Sequence, residues 1–343
     1  MPTKKTKKSA PRSSAKPRKT SKSALRKKKQ QRAAILRGLI VALIVAVLGL
    51  GGGYVVHQQV TAERDVLHLP LENMGAGYVA VHFLDKGQAD AVLIQTDEGF
   101  MLIDAARNTL ANRRDLVGYL RQAGVTELRY VVATHPHADH IGGFPAVLDE
   151  FATPGVTTML MPNVSHTTAA YRNMISAIER NQVIVQAPVS GHSFELGAAE
   201  FTILAPNGSG FADLNDYSVA FRMVVGDISF VFAGDATRLS ELQMISAGHY
   251  LNSTVLMLPH HGSRTSTSGE FLNAVNPTYA VISVGQGNSY GHPHQVVMDR
   301  VIQRIGEENI FRTDMDGHIV FRTDGTTLQI FTSIERPAVD PGA

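Results

Sequence analysis

Three histidines and one aspartate occur within six consecutive residues of this chain, in the segment His135-Pro136-His137-Ala138-Asp139-His140. The segment follows an apolar run at 130–133 that predicts a β-strand. Imidazole and carboxylate groups are preferred ligands of divalent transition metals, and four of them in one short loop favour two adjacent ions over one. A histidine-rich surface loop is the alternative interpretation, but a position beyond the carboxyl end of a strand is typical of active sites in α/β sheets.

Three later segments repeat this arrangement, in which potential ligands follow the end of a predicted strand. The residues concerned are Asp235 after Gly234, the pair His260 and His261, and Tyr290, His292 and His294. Singly, a Gly-Asp pair is usually a turn and a histidine pair is usually a surface feature. Together with the first loop, however, these positions hold seven of the 14 histidines, and such a concentration indicates one shared site.

The elements that must position these residues alternate between short strands and helices. The predicted strands are 78–83, 91–96, 100–104, 130–134, 183–186, 200–204, 219–225, 228–233, 255–258, 279–284, 319–322 and 328–331. The predicted helices are 110–122, 169–180, 239–247 and 293–305, the last with a proline in its first turn. Gly226-Asp227 predicts a tight hairpin. This order of elements favours two sheets packed face to face with helices outside.

Charge divides the chain into a basic beginning and an acidic remainder. Residues 1–37 contain 15 of the 32 lysines and arginines and no acidic residue, which leaves 17 basic residues against 30 acidic ones in the rest. Because duplex DNA is bound largely by neutralising its phosphates, we expect no tight duplex binding by the acidic part. The chain has no cysteine, which excludes disulfides and thiolate metal sites.

The beginning of the chain predicts a membrane anchor. Residues 38–56 are 19 residues without a charge, enough to span a bilayer as a helix, and the basic flank should stay in the cytoplasm. A cleaved signal peptide is the rival interpretation, although its charged region would be unusually long. The predicted organisation is a disordered basic cytoplasmic tail (1–34), a transmembrane helix (35–56), a linker (57–76), a folded domain (77–333) and a tail (334–343).

The motifs together resemble the metallo-β-lactamase superfamily. The shared pieces are the His-x-His-x-Asp-His loop at 135–140, Gly234-Asp235 and the later histidine at 260. Within the superfamily, the chain is most similar to the hydrolase domain of ComEC/Rec2-type competence proteins. That similarity lies in Phe83-Leu84-Asp85-Lys86-Gly87-Gln88-Ala89-Asp90-Ala91, close to that group's Phe-Leu-Asp-Val-Gly-Gln-Gly-Asp-Ser, and in the segments 259–263 and 290–294. The resemblance implies a four-layer αββα metallo-β-lactamase-like sandwich, preceded here by one N-terminal transmembrane helix.

The resemblance also implies ligands for two divalent ions, with zinc favoured and manganese as the alternative. The implied ligands are His135 and His137 for the first ion, Asp139, His140 and His260 for the second, and Asp235 as a bridge. His261 is an alternative to His260, because sequence does not separate neighbours. Asn215 stands where the family usually has another histidine, so we expect it near the first ion or a bound water. His166 and His192 are alternative ligands, although each is more typical of an ordinary loop.

Further roles are implied for residues around the metals. Asp139 is expected to orient the attacking water, and His292 or Tyr290 to donate a hydrogen bond to a phosphoryl oxygen. Gln88 and Asp90 are expected in a turn near the metals. There Asp90 either contacts a ligand histidine or serves the turn alone.

The function that follows is a membrane-anchored extracytoplasmic hydrolase, which uses a metal-bound hydroxide at a binuclear site to cleave phosphodiester bonds. The expected substrate is a phosphate ester, either a small molecule, a surface polymer or single-stranded DNA. A surface nuclease of the ComEC type linked to DNA uptake is the first alternative. A non-catalytic binding module stabilised by metal is the second, and a β-lactamase is disfavoured by the ComEC-like motifs.

Overall fold

The strands of this chain form two mixed β-sheets in the computed structural model, which describes residues 64–66 and 77–335. The first strands are β1 (Arg64–Val66), β2 (Val79–Phe83), β3 (Val92–Thr96), β4 (Gly99–Ile103), β5 (Tyr130–Val132), β6 (Thr158–Leu160), β7 (Ile184–Gln186) and β8 (Ser193–Leu196). The others are β9 (Ala199–Ala205), β10 (Ala220–Val225), β11 (Ile228–Phe232), β12 (Val255–Met257), β13 (Tyr279–Ile282), β14 (Ile310–Arg312), β15 (Ile319–Thr323) and β16 (Leu328–Thr332).

Each sheet combines an antiparallel meander with a parallel part. The first has the order β1-β16-β15-β2-β3-β4-β5-β6-β7, and the second has the order β14-β13-β12-β11-β10-β9-β8. Strands β4 to β7 run parallel in the first sheet, and β11 to β14 run parallel in the second. Parallel neighbours present their carboxyl ends at one edge of a sheet, so the loops that follow them can meet there.

Helices connect the parallel strands, and one further short helix follows β14. They are α1 (Leu110–Gln122), α2 (Ala138–Ile141), α3 (Phe144–Phe151), α4 (Ala169–Arg180), α5 (Arg238–Ser246), α6 (Gly269–Val275), α7 (Gln295–Ile305) and α8 (Thr313–Asp316). Short 3₁₀ turns lie at Leu214–Tyr217, Pro259–Gly262 and Glu307–Asn309. Several helices begin at a side chain that satisfies a free backbone N–H, as Thr109 and Thr168 do for α1 and α4.

Three hydrophobic cores arrange these elements in layers. Successive side chains of a strand point to opposite faces of the sheet. In β3, Val92 and Ile94 therefore point into the core between the sheets, whereas Leu93 packs against helices. The first core joins the facing sides of both sheets through residues such as Phe83 and Phe230. The second joins the first sheet to α1, α3 and α4, and the third joins the second sheet to α5, α6 and α7. The described residues therefore form an α/β sandwich with helices on both outer faces.

Two glycines allow the site loops to approach their neighbours. A Cβ added at Gly143 would lie 2.0 Å from the carbonyl oxygen of Ala105. Gly234 has φ +52°, and a Cβ there would lie 2.9 Å from Cβ of Thr134. A side chain at either position would force the backbone apart. The loops after β5 and β11 are thus held closely by residues that lack a side chain.

The predicted elements agree with the structure in type, with shifts at the ends. The hairpin at Gly226-Asp227 is confirmed, because Val225 pairs with Ile228 across β10 and β11. Helix α7 begins at Gln295 after His294, two residues later than the predicted start at Pro293. The predicted tail 1–34 and transmembrane helix 35–56 lie outside the described residues. Among the described residues, no helix combines the length and apolar character needed to cross a bilayer.

Candidate metal centre

The loops after β2, β5, β11 and β12 bring donor atoms together at one edge of the sandwich, and the loop after β13 borders the same site. Each loop contributes side chains whose sequence position, beyond a strand end, predicted this convergence. The donor atoms assemble into three groups, and every donor in a group lies within 4.8 Å of the others. These groups are His135, His137 and Asp235; Asp139, His140 and His261; and Asp90, His140 and Asp235.

The first group is built by the loop after β5 together with Asp235. Nε2 of His135 lies 2.8 Å from Nδ1 of His137 and 3.7 Å from Oδ2 of Asp235. His135 is buried, and its Nδ1 lies 3.1 Å from the hydroxyl of Thr134. Because Nδ1 makes this contact, Nε2 of His135 is the ring nitrogen that faces the other donors of the group, as a ligand imidazole requires.

The second group is built by α2 and the loop after β12. Nε2 of His140 lies 3.3 Å from Oδ1 of Asp235, and Nε2 of His261 lies 3.9 Å from the same oxygen and 4.0 Å from Oδ2 of Asp139. The carboxylate of Asp235 therefore faces both groups, Oδ2 toward His135 and Oδ1 toward His140. A carboxylate in this position can bridge two cations.

The structure separates the two neighbouring histidines at 260 and 261. His261 is buried and belongs to the second group, whereas His260 belongs to none of the three groups. Nδ1 of His260 contacts Thr265, and its Nε2 lies 3.6 Å from Oδ2 of Asp235. Both residues adopt left-handed backbone conformations, with φ 55° and 53°. The structure thus puts His261, the alternative in the sequence, where His260 was predicted.

Buried hydrogen-bond acceptors fix the orientation of the His140 and His261 rings through their Nδ1 atoms. Asp104 accepts from Nδ1 of His140 at 2.7 Å and also receives the backbone N–H and the hydroxyl of Thr134. Nδ1 of His261 donates to the carbonyl of Ser283 at 2.9 Å and lies 3.2 Å from Oδ1 of Asp90. Such contacts set the tautomer and direct Nε2 toward a cation. The predicted contact between Asp90 and a histidine of the site is present.

The electrostatics of the centre favour bound positive charge. Burial alone would lower the pKa of His261, but the carboxylates of Asp90 and Asp235 raise it to about 9. For His140 the effect of burial is likewise outweighed by Asp235 and Asp104, and its pKa lies well above the usual range. By contrast, burial and the charge of His140 hold the pKa of His135 well below that range. A divalent cation must displace protons here, so its affinity should fall as the pH is lowered.

Unpaired polar atoms show that this donor set fits divalent cations. Within residues 77–335, no hydrogen-bond partner is present for three buried atoms, Nε2 of His140, Nε2 of His261 and Oδ1 of Asp235, although a buried polar atom normally has one. All three belong to the groups described above. Imidazole and carboxylate are the ligands that zinc and manganese accept, and no group is closed by four protein donors within the described residues. Each group therefore offers three protein donors to a cation.

A cavity of about 400 Å³ opens above this centre. Of the other predicted residues, Asn215, Tyr290, His292, His166 and Gln88 line it, whereas His192 does not. Among the described residues, the buried Oδ1 of Asn215 has no hydrogen-bond partner. Its place beside the first ion or a water stays a prediction. Burial and the nearby His261 and His260 lower the pKa of His292 to about 4, so this ring is neutral at physiological pH.

Two residues of the centre were missed by the sequence prediction. Asp104 follows an apolar strand as Asp235 does, so the same rule would have found it. Arg107 lines the cavity, and its Nη2 donates to Oδ2 of Asp139 at 3.0 Å. No pattern in the sequence distinguishes Arg107 from other loop arginines.

Comparison with known proteins gives a consistent result. Residues 84–172 match the family model of the metallo-beta-lactamase superfamily. The chain is 32% identical to competence protein ComA of Neisseria gonorrhoeae over 243 residues, which are 71% of this chain and 32% of that protein. It is 27% identical to ComE operon protein 3 of Bacillus subtilis over 259 residues, 71% of this chain and 33% of that protein.

The chain spans about a third of the length of these relatives. Among solved structures, the metallo-beta-lactamase fold protein YhfI of Bacillus subtilis aligns with 71% of this chain and 100% of its own, with 12% identity and a TM-score of 0.48. Residues 84–172 contain the complete His-x-His-x-Asp-His loop. The chain therefore belongs to the metallo-beta-lactamase superfamily, and it is a distant homologue of the ComA, ComEC and Rec2 competence proteins.

Proposed function

We propose that this protein hydrolyses phosphodiester bonds at the metal centre. The observation that carries the proposal is the position of Asp235, whose buried carboxylate faces two groups of donors beneath an open cavity. Two bound divalent ions would acidify a water and offset negative charge on a phosphoryl group. The ligand types fit two metals, since imidazole suits zinc and carboxylate suits manganese. Zinc is the favoured metal because most of the donors are imidazoles, and manganese is the alternative.

Residues of the cavity wall would position the ester and the water. Nδ1 of His292 accepts from Nε2 of Gln88 at 3.3 Å, and since the ring is neutral its proton lies on Nε2. That N–H can donate to a phosphoryl oxygen, and the exposed hydroxyl of Tyr290 offers a second donor from the same wall. Asp139 belongs to the second donor group and also lines the cavity, so its carboxylate can orient an attacking water.

The acidic balance of residues 38–343 favours a small or surface-attached phosphate ester over a long polyanion. A nucleotide, a phospholipid head group and a decorated wall polymer are all of this class. Single-stranded DNA is the second candidate, because the chain is similar to competence proteins over 71% of its length. A non-catalytic module is disfavoured by the open donor groups, since structural metal sites are normally closed by four protein ligands.

The test is turnover by the purified full-length chain. We expect about two equivalents of zinc or manganese to bind, bis-p-nitrophenyl phosphate to be hydrolysed, and a chelator to abolish the reaction. His137→Ala removes a donor from the first group and should lower kcat/KM by at least about 100-fold. A labelled single-stranded oligonucleotide in the same assay separates the two substrate classes. Turnover that survives both the chelator and His137→Ala would show that the enzyme proposal is wrong.

We propose further that residues 35–56 anchor the protein in the membrane, with the hydrolase outside the cytoplasm. The support is the uncharged stretch of 19 residues and its basic flank. Alkaline phosphatase fused after Val60 should be active, because this enzyme works only after export. An inactive phosphatase, together with an active cytoplasmic reporter at the same position, would reverse the predicted orientation.

A further inference from the structure

Arg107 is held at the rim of the cavity by two hydrogen bonds from different sides. It lies between β4 and α1, and its Nε donates to the carbonyl of Gln88 at 3.1 Å. Its Nη2 donates to Oδ2 of Asp139 at 3.0 Å. Within residues 77–335, Nη1 has no protein acceptor, and 38% of the side chain remains exposed. The guanidinium is therefore fixed in orientation but retains unused donors.

Arg107 also supplies the permanent positive charge of the cavity. It is the one lysine or arginine among the residues that line the cavity in the described part of the chain. Among the described residues of the lining, its guanidinium is therefore the cation whose charge does not depend on pH.

Gln88 contacts both Arg107 and His292, which line the same cavity. Its carbonyl accepts from Nε of Arg107, while its side-chain amide donates to Nδ1 of His292. Its Oε1 accepts the backbone N–H of Gly285 at 3.2 Å, which fixes the amide. Gln88, in the turn after β2, thus contacts both Arg107 and His292 in the lining of the same cavity.

We propose that Arg107 binds the phosphoryl group of the substrate through its unused N–H donors. This inference rests on the proposed function and names a substrate-binding residue for it. A guanidinium offers planar paired donors that match two non-bridging phosphoryl oxygens, and its charge shortens and strengthens those bonds. The neutral carbonyl of an ester or lactam gains far less from such a group. Arg107 therefore favours an anionic substrate group over an uncharged one.

The experiment measures inorganic phosphate binding to the manganese-loaded full-length protein by isothermal titration calorimetry. For Arg107→Gln we expect the phosphate Kd to rise about 10- to 100-fold, as for loss of a charged hydrogen bond. The KM for bis-p-nitrophenyl phosphate should rise as well, and Arg107→Lys should be intermediate. The manganese Kd, titrated separately, should change by less than about threefold.

Arg121→Gln is the matched control, because Arg121 is an exposed arginine that pairs with Glu150 and does not line the cavity. It should leave both dissociation constants unchanged. An unchanged phosphate Kd in Arg107→Gln, or absence of phosphate binding to the unmodified protein, would overturn the inference. So would a parallel loss of manganese affinity, because Arg107 would then act by bracing Asp139. Phosphate binding needs no turnover, so failure of the proposed function is seen separately.

Discussion

Asp235→Asn is expected to lower kcat by about 1,000-fold and to weaken metal binding by at least about 100-fold. Asp235 is buried, and its two oxygens face His135 on one side and His140 on the other. Although burial would raise the pKa of this carboxyl, His140 and His261 hold it well below the usual range, so the group is ionised. The amide of asparagine has the same size but lacks the charge that two cations would share.

The measurement combines metal content after dialysis with turnover of bis-p-nitrophenyl phosphate. Circular dichroism reports whether the variant keeps its fold, which is expected because asparagine fills the same space. Asp299→Asn is the control, since Asp299 is an exposed acceptor of Gln295 outside the cavity. If Asp235→Asn kept both metal equivalents and its turnover, Asp235 would not be a bridge.

The second expected result is a large difference between two neighbouring histidines. His261→Ala should remove one of two metal equivalents and lower kcat by about 100- to 1,000-fold, because His261 belongs to the group of Asp139 and His140. Its Nδ1–H is bonded to the carbonyl of Ser283, which leaves Nε2 for a cation. His260→Ala should keep both equivalents and lose less than about tenfold in kcat, because His260 lies outside the groups and its Nδ1 contacts Thr265.

Each of these variants serves as the control of the other, since they differ by one position in the same turn. Metal content and kcat are measured on the same preparations. His261→Asn tests whether a loss comes from the missing ligand or from the volume removed. A reversed order, with His260→Ala losing the metal and His261→Ala keeping it, would contradict the assignment.

The local backbone explains why sequence could not decide between these two residues. Consecutive residues with φ 55° and 53° turn the chain sharply, and the two side chains leave the turn in different directions. For residues other than glycine this conformation costs about 1–2 kcal/mol each, so surrounding contacts must stabilise it. Among them, the backbone N–H of His260 donates to the carbonyl of Gly234 at 3.0 Å, which ties the turn to the loop that carries Asp235.

Much of the fold could be predicted from local patterns. The meander of β2 to β4 and the hairpin of β10 and β11 could be predicted from β-branched and apolar runs with turn residues between them, which act over a few positions. Helices α3 and α6 were not predicted, because each is shorter than the window in which helical periodicity becomes clear. The ends of elements shifted by one or two residues, as at α7, since caps rather than periodicity fix them.

The sequence by itself determined which donor groups this protein offers: imidazoles and carboxylates beyond strand ends predict a site for divalent cations. The tertiary structure alone decided which of these side chains meet. In the folded chain, Gln88 contacts His292, which lies 204 positions later in the sequence, and Arg107 donates to Asp139. His261, and not His260, belongs to the second donor group. The physical reason is that residue type fixes which ligands a chain can offer, whereas distances between loops depend on how the two sheets pack against each other.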